Sequence, residues 1–141
     1  MKKLLLLLLC AIGLSASDVK IVESKHSVSQ TIQNIKKIVT SKGFKVFAII
    51  DHKQNAKNVD MQMSEAKVIL FGNPKAGTKL MQEDIRTALD LPLRILVYKE
   101  SGVKIAYRDV SSLKADFKLK NKKQLKAMDK GLSAIIDEAR N

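Results

Sequence analysis

The chain has 141 residues, with 26 Lys or Arg against 14 Asp or Glu and a formal net charge of +12 at pH 7. One cysteine excludes an intrachain disulfide, and two histidines exclude a His-rich metal centre. The charge favours anionic partners such as membrane surfaces, polyanions or acidic proteins, but no aromatic residues interleave with the lysines as nucleic-acid stacking would require, so no nucleic acid is expected.

Residues 1–17 read as a signal peptide. Lys2 and Lys3 give a positive start, Leu4 to Ile12 form an apolar run too short to span a bilayer, and Ser15-Ala16-Ser17 supplies the small residues of a cleavage site. Cys10 lies inside that run after Leu9, and reads as an ordinary apolar residue of the leader. Cleavage leaves one domain from Asp18 to Asn141, without cysteine and without a second long apolar segment. The expected location is periplasmic or secreted, and the mature chain is not expected to span a membrane.

Val19 to Glu23 reads as a first strand. Val28, Ile32, Ile35 and Val39 then fall on one face of a helix that Ser27 caps, with Gln30 as reciprocal partner and Gly43 as its stop. Phe44 to His52 is apolar on both faces, with Phe47 and Ile49 on the second, and is expected to be a central, well-covered strand. A polar excursion over Gln54 to Glu65, with a short helix at Asn55 to Val59, leads to a strand at Lys67 to Phe71. Leu80, Met81, Ile85, Ala88 and Leu89 form a helical stripe that starts after Thr78 as cap. Leu91 to Lys99 and Val103 to Asp109 make an antiparallel hairpin about Ser101-Gly102. Ser111 to Phe117 is a short helix, and Lys122 to Ala139 is a final amphipathic one. The order β-α-β-β-β-β-α has too few crossovers for a parallel sheet, so an α+β domain with a mostly antiparallel sheet follows.

Between the third and fourth strands, Phe71-Gly72-Asn73-Pro74 runs into Gly77-Thr78 and Leu80-Met81, with Leu89-Asp90-Leu91-Pro92 shortly after. These residues resemble the signature of the domain of unknown function 302 family, over about Val19 to Tyr107. The resemblance implies a curved sheet of the TATA-binding-protein-like kind and a homodimer, and it carries no activity. Asp51-His52 and Tyr107-x-Asp109 also match the family pattern. Lys79 departs from it by standing where proline is common, and Glu83-Asp84-Ile85-Arg86 replaces a more neutral stretch.

Gly72 to Lys79 also looks like a phosphate loop with its last two residues transposed. The lysine is displaced by one residue, Pro74 removes a donor, and no carboxylate-bearing parallel strand follows, so nucleotide hydrolysis is set aside. A Gly-rich turn opening a helix can still offer N–H groups to an anion beside Lys75 and Lys79, and turn chemistry alone explains the same residue types. The residues singled out for a polar, anion-binding pocket are His52, Asn73, Lys75, Gly77, Thr78 and Asp90. No catalytic set, metal or cofactor is expected. The leading expectation is a non-enzymatic binding or interaction domain, a homodimer with a small anionic ligand. The alternatives are a periplasmic enzyme with His52 as base beside Asp90 or Asp109, and a copper carrier using Met61, Met63 and His52. Lys122, Lys126 and Lys130 stack along the last helix, as on a solvated face or one that meets anionic head groups.

Overall fold

The structure is a computed structural model and describes residues 18–141; the predicted leader lies outside the described residues. Five strands form a single sheet in the order β1-β5-β4-β3-β2, with every neighbouring pair antiparallel. The strands are β1 (Val19–Ser24), β2 (Lys45–Asp51), β3 (Ala66–Gly72), β4 (Leu93–Lys99) and β5 (Val103–Arg108). The helices are α1 (Val28–Ser41), α2 (His52–Lys57), α3 (Pro74–Glu83) and α4 (Lys122–Arg140), with 3₁₀ segments at Ile85–Leu89 and Val110–Ala115.

Helix α1 starts where its sequence says it should. The Ser27 hydroxyl accepts the Gln30 amide at 3.1 Å, and Gly43 takes φ +76° just beyond the helix, a value that favours glycine. Its apolar stripe, with Ile32, Ile35 and Val39 almost wholly buried, packs on β2, β3 and β4 and against α4. Leu125, Leu132, Ile135 and Ile136 of α4 complete that layer. The sheet contributes Ile69 and Phe71 of β3, Ile95 and Val97 of β4, and Ile105 of β5, each fully buried. The expected α+β fold and the β4–β5 hairpin are both present, with Ser101 and Gly102 at positive φ in the turn.

Three expectations are corrected. Strand β2 is at the edge of the sheet, paired only with β3, and Phe47, Ile49 and Ile50 are more than one-third exposed. The stripe from Leu80 to Leu89 is not one helix. Asp84 is extended (φ −150°, ψ 108°) and caps a fresh 3₁₀ segment, which turns Ile85 and Leu89 outward to 73% and 80% exposure. The excursion after β2 begins at once with α2, because the Asp51 carboxylate accepts the Gln54 amide at 3.0 Å and caps the helix there.

The helices leave the other sheet face uncovered. On it Ile21, Ala106, Leu96, Val68 and Ile50 lie directly opposite one another, one from each strand, as an apolar row across the sheet. Arg94, Arg108 and Lys104 flank that row and are ion-paired to Asp90, Asp18 and Glu100.

Candidate functional site

The turn after β3 is built by Asn73-Pro74. Asn73 is the cap of α3: its Oδ1 accepts the Ala76 amide at 3.1 Å, and its carbonyl accepts that of Gly77 at 2.9 Å. Pro74 occupies the first helical position, where its fixed φ suits the helix and its missing N–H costs nothing. Thr78 is therefore a residue of the helix and not its cap, and the Gly77 amide is spent inside the helix. Of the first-turn positions only Lys75 keeps an unspent N–H, so a backbone cradle for an anion is not formed.

The same turn forms one wall of a cleft of about 450 Å³. Phe44 just before β2, Phe47 within it, Met81 of α3, Leu91-Pro92 ahead of β4 and Met128 of α4 line it with apolar side chains. Gly72, Asn73, Gly77 and Thr78 line it too. A Cβ on Gly72 would meet Pro92 Cβ at 3.7 Å, and one on Gly77 would meet Leu91 Cδ1 at 3.8 Å. Either is ordinary contact, so alanine fits, and a larger side chain would enter the cleft. Phe44 stands edge-on to the buried Phe71, with centroids 5.8 Å apart at 72°, which ties the cleft wall to the core.

Of the six residues singled out from the sequence, Asn73, Gly77 and Thr78 line this cleft and Lys75 lies between two of its lining residues. Asp90 turns instead to a second cavity of about 670 Å³, where it accepts a hydrogen bond from Arg94 Nη2 at 2.9 Å. That cavity also holds Asp18, Arg108, Asp109 and Tyr107. Beside it Lys20 Nζ lies 2.6 Å from Asp109, and this hydrogen bond raises the lysine pKa above its ordinary value.

His52 belongs to neither cavity. Strands β2 and β3 are antiparallel, with Lys45 opposite Gly72 and Asp51 opposite Lys67, so His52 and Asn73 lie at opposite ends of the sheet. Six residues of strand separate them, roughly 20 Å. The expectation that His52 approaches the loop is thus corrected, and with it the pairing of His52 with Asp90 or Asp109, which share the far end. Met61 and Met63 lie on the exposed connection between α2 and β3, at the His52 end. Among the described residues, no group of three or more His, Cys, Asp or Glu side chains is placed to hold a metal ion.

Sequence reasoning missed the apolar lining, Phe44, Phe47, Met81 and Met128 above all. It also missed what the acidic pair Glu83-Asp84 at the end of α3 does. Asp84 Oδ2 accepts the Lys118 amide at 3.0 Å and Glu83 Oε2 that of Lys120 at 2.6 Å, so these carboxylates pin the segment ahead of α4.

An antiparallel five-stranded sheet, helices on one face and an apolar cleft at one sheet end define a small α+β fold. The chain belongs to the family described as Domain of unknown function DUF302, whose match covers residues 20–139. The crystal structure of an uncharacterized conserved protein DUF302 from Bacillus stearothermophilus has the same fold. The TM-score is 0.70 and the identity 17%, over 89% of this chain and 97% of that one. Two curated relatives are named fluoride-specific ion channel FluC 1, from Brucella suis and Brucella abortus. Each is 39% identical over 84 residues, which is 60% of this chain and 33% and 31% of theirs. The chain thus spans about a third of the length of these relatives. Among the described residues, no helix is long and apolar enough to cross a membrane.

Proposed function

We propose that this chain is an exported, non-enzymatic binding domain that works as a homodimer and takes a small apolar ligand in the cleft beside α3. The observation that carries this reading is convergence. The two halves of the family signature, Phe71 to Met81 and Leu89 to Leu93, are separated in sequence and meet across one cleft. Its volume falls in the range of small-molecule sites, and its walls are mostly apolar with Asn73 and Thr78 as polar groups at the mouth. An enzymatic reading loses its acid–base pair, because His52 and the carboxylates Asp90 and Asp109 are at opposite sheet ends. Channel activity is not carried over from the Brucella relatives, because some two thirds of their length has no counterpart here.

A neutral fluorescent probe such as N-phenylnaphthylamine is expected to bind the wild type and brighten. Ala88 is an exposed residue of the cleft rim, so Ala88→Trp fills the cleft without disturbing the core and should abolish that signal. Ile85→Trp, on the same 3₁₀ segment but outside the lining, should leave it intact. A wild type that leaves the probe dark would overturn the binding reading.

The dimer reading rests on the uncovered sheet face. Five strands about 4.8 Å apart and about 20 Å long present roughly 500 Å² per copy. Stacking two copies buries roughly 1,000 Å², the lower bound for a specific interface. Arg94, Lys104 and Arg108 beside the apolar row are already paired within the chain, so a second copy does not bury these three as lone charges. Native mass spectrometry of protein from a cell-envelope fraction is expected to give twice the mass of a chain starting at Asp18. Leu96→Lys, in the middle of the row, should give the single mass. A wild-type monomer would remove the dimer, and a retained leader would remove export.

A further inference from the structure

The sheet divides at one end. The β4–β5 ladder stops at Leu96–Ala106, although β4 runs on to Leu93 and β5 to Arg108. Beyond that point each strand stays paired with its outer neighbour, β4 with β3 and β5 with β1. The sequence supplies a reason. Continued in register, the ladder would set Arg94 directly opposite Arg108, and like charges opposite one another destabilise a strand pair. Each arginine is held instead by an aspartate, Asp90 or Asp18. The cavity of about 670 Å³ lies at this parting, lined by Arg94 and Leu96 from one strand and by Ala106, Tyr107 and Arg108 from the other.

Two polar groups in this cavity have no partner among the described residues. Tyr107 is only 8% exposed, and its hydroxyl makes no hydrogen bond there. Asp109 Oδ2 takes Lys20 Nζ at 2.6 Å, but Oδ1 is buried and bonds to nothing, the one buried side-chain nitrogen or oxygen of which this is true. The two residues are two apart on extended backbone, which puts their side chains on the same side, and Lys20 is the cross-strand partner of Tyr107. Buried polar atoms are normally satisfied, so the pair calls for a bound group that donates to the carboxylate and meets the hydroxyl. Charge narrows the choice. Lys20, Arg94 and Arg108 are each balanced by their own aspartate. Exposed Asp116 is the one lining charge without an ion-pair partner among the described residues. An ionic ligand gains little where the charges are already matched, whereas a hydroxyl can donate to Asp109 Oδ1 and accept from Tyr107 or an arginine.

We propose that this second cavity binds a neutral polyhydroxyl compound of sugar size, with hydroxyls on Asp109 Oδ1 and the Tyr107 hydroxyl. Its C–H surface meets the apolar part of the lining, Val68, Leu96, Ala106, Leu113 and Leu132. The volume falls in the range of small-molecule sites, and the mixture of apolar wall and a few convergent polar groups is what such sites use. The site is separate from the apolar cleft and does not depend on it. Val68, Leu96 and Ala106 also belong to the row across the open face, so a second copy stacked there would roof that part of the cavity.

Ligand-observed NMR titrations with methyl glucoside, methyl galactoside and methyl mannoside, and with glucosamine and glucuronate as charged analogues, test the class. At least one neutral glycoside is expected to bind more tightly than both charged sugars. Tyr107→Phe should weaken that glycoside about fivefold, the effect of one hydrogen bond. It should leave the urea midpoint unchanged, because the hydroxyl it removes has no partner within the fold. Tyr98→Phe removes the same group from β4 outside the cavity and should leave both binding and midpoint as in the wild type. Binding of none of the three glycosides would overturn the cavity as a sugar site, and tightest binding of a charged analogue would overturn the neutral class. Unchanged binding in Tyr107→Phe, equal loss in both variants, or a lowered midpoint in Tyr107→Phe would overturn the part assigned to its hydroxyl.

Discussion

Phe71→Ala should cost about 3–5 kcal/mol of unfolding free energy, the range for truncating a buried phenylalanine. Phe71 is fully buried on β3, facing the helix layer, and its ring meets that of Phe44 edge-on. Truncation loses the transfer free energy of the ring and opens a void between the sheet and α1 that the antiparallel ladder on both sides keeps from collapsing. Domains of this size are stable by about 5–15 kcal/mol, so the variant should melt on the order of 10 °C lower or fail to fold at 37 °C. Phe71→Leu keeps most of the apolar volume and should lose far less. The measurement is the urea midpoint at constant m-value for both variants. A loss below about 1 kcal/mol for the alanine would mean that the site relaxes and that Phe71 does not seal the core. Because Phe44 loses its ring partner, probe binding in the cleft should also weaken in Phe71→Leu even where stability is nearly kept.

Such core positions were legible because they follow local periodicity. The stripe of α1, the Ser27 cap, the Ser101-Gly102 turn and the apolar face of α4 are set by residues near one another in sequence. What failed depended on topology. Phe44 to His52 is apolar on both faces, which elsewhere marks a central strand. Here one face meets α1 and the other is the uncovered sheet face, and no local pattern tells an edge from a centre. The position of His52 failed for the same reason, since an antiparallel partner puts the end of one strand beside the start of the next.

The candidate site was half legible. Its turn is legible by residue type, and Asn73-Pro74 is a better start signal for the helix than the two glycines. A polar pocket was expected because Asn, Lys, Thr and Asp stand out in a sequence. The apolar walls came from β2, α3, the segment before β4 and α4, which only the fold brings together. The break at Asp84 was hidden because the apolar spacing of Leu80, Met81, Ile85 and Leu89 runs through it unchanged. Only the three-dimensional commitments of Asp84 turn the chain there.

Those commitments make Asp84 the site of an acid-sensitive joint. Its carboxylate holds the Arg86 guanidinium through two hydrogen bonds of 3.0 and 2.7 Å, and it also accepts the amides of Arg86 and Lys118. The Arg86 hydrogen bonds first, and the Lys118 amide second, hold its pKa far below the ordinary carboxylate range. A folded-state pKa below the unfolded one means that the charged form stabilises the fold. That contribution is complete above the unfolded value, about pH 4, and is lost as pH falls through the depressed folded value. Asp84→Asn should therefore lower the urea midpoint at pH 7 and flatten its decline below about pH 4, with the two proteins converging in strong acid. The loss should also have a place. Amide exchange should quicken at Lys118 and along the segment up to Lys120, while β3 and β4 remain protected. A variant whose midpoint falls in parallel with the wild type down to acid pH would show that Asp84 acts through its shape alone. Unchanged exchange at Lys118 would show that α4 is anchored without it.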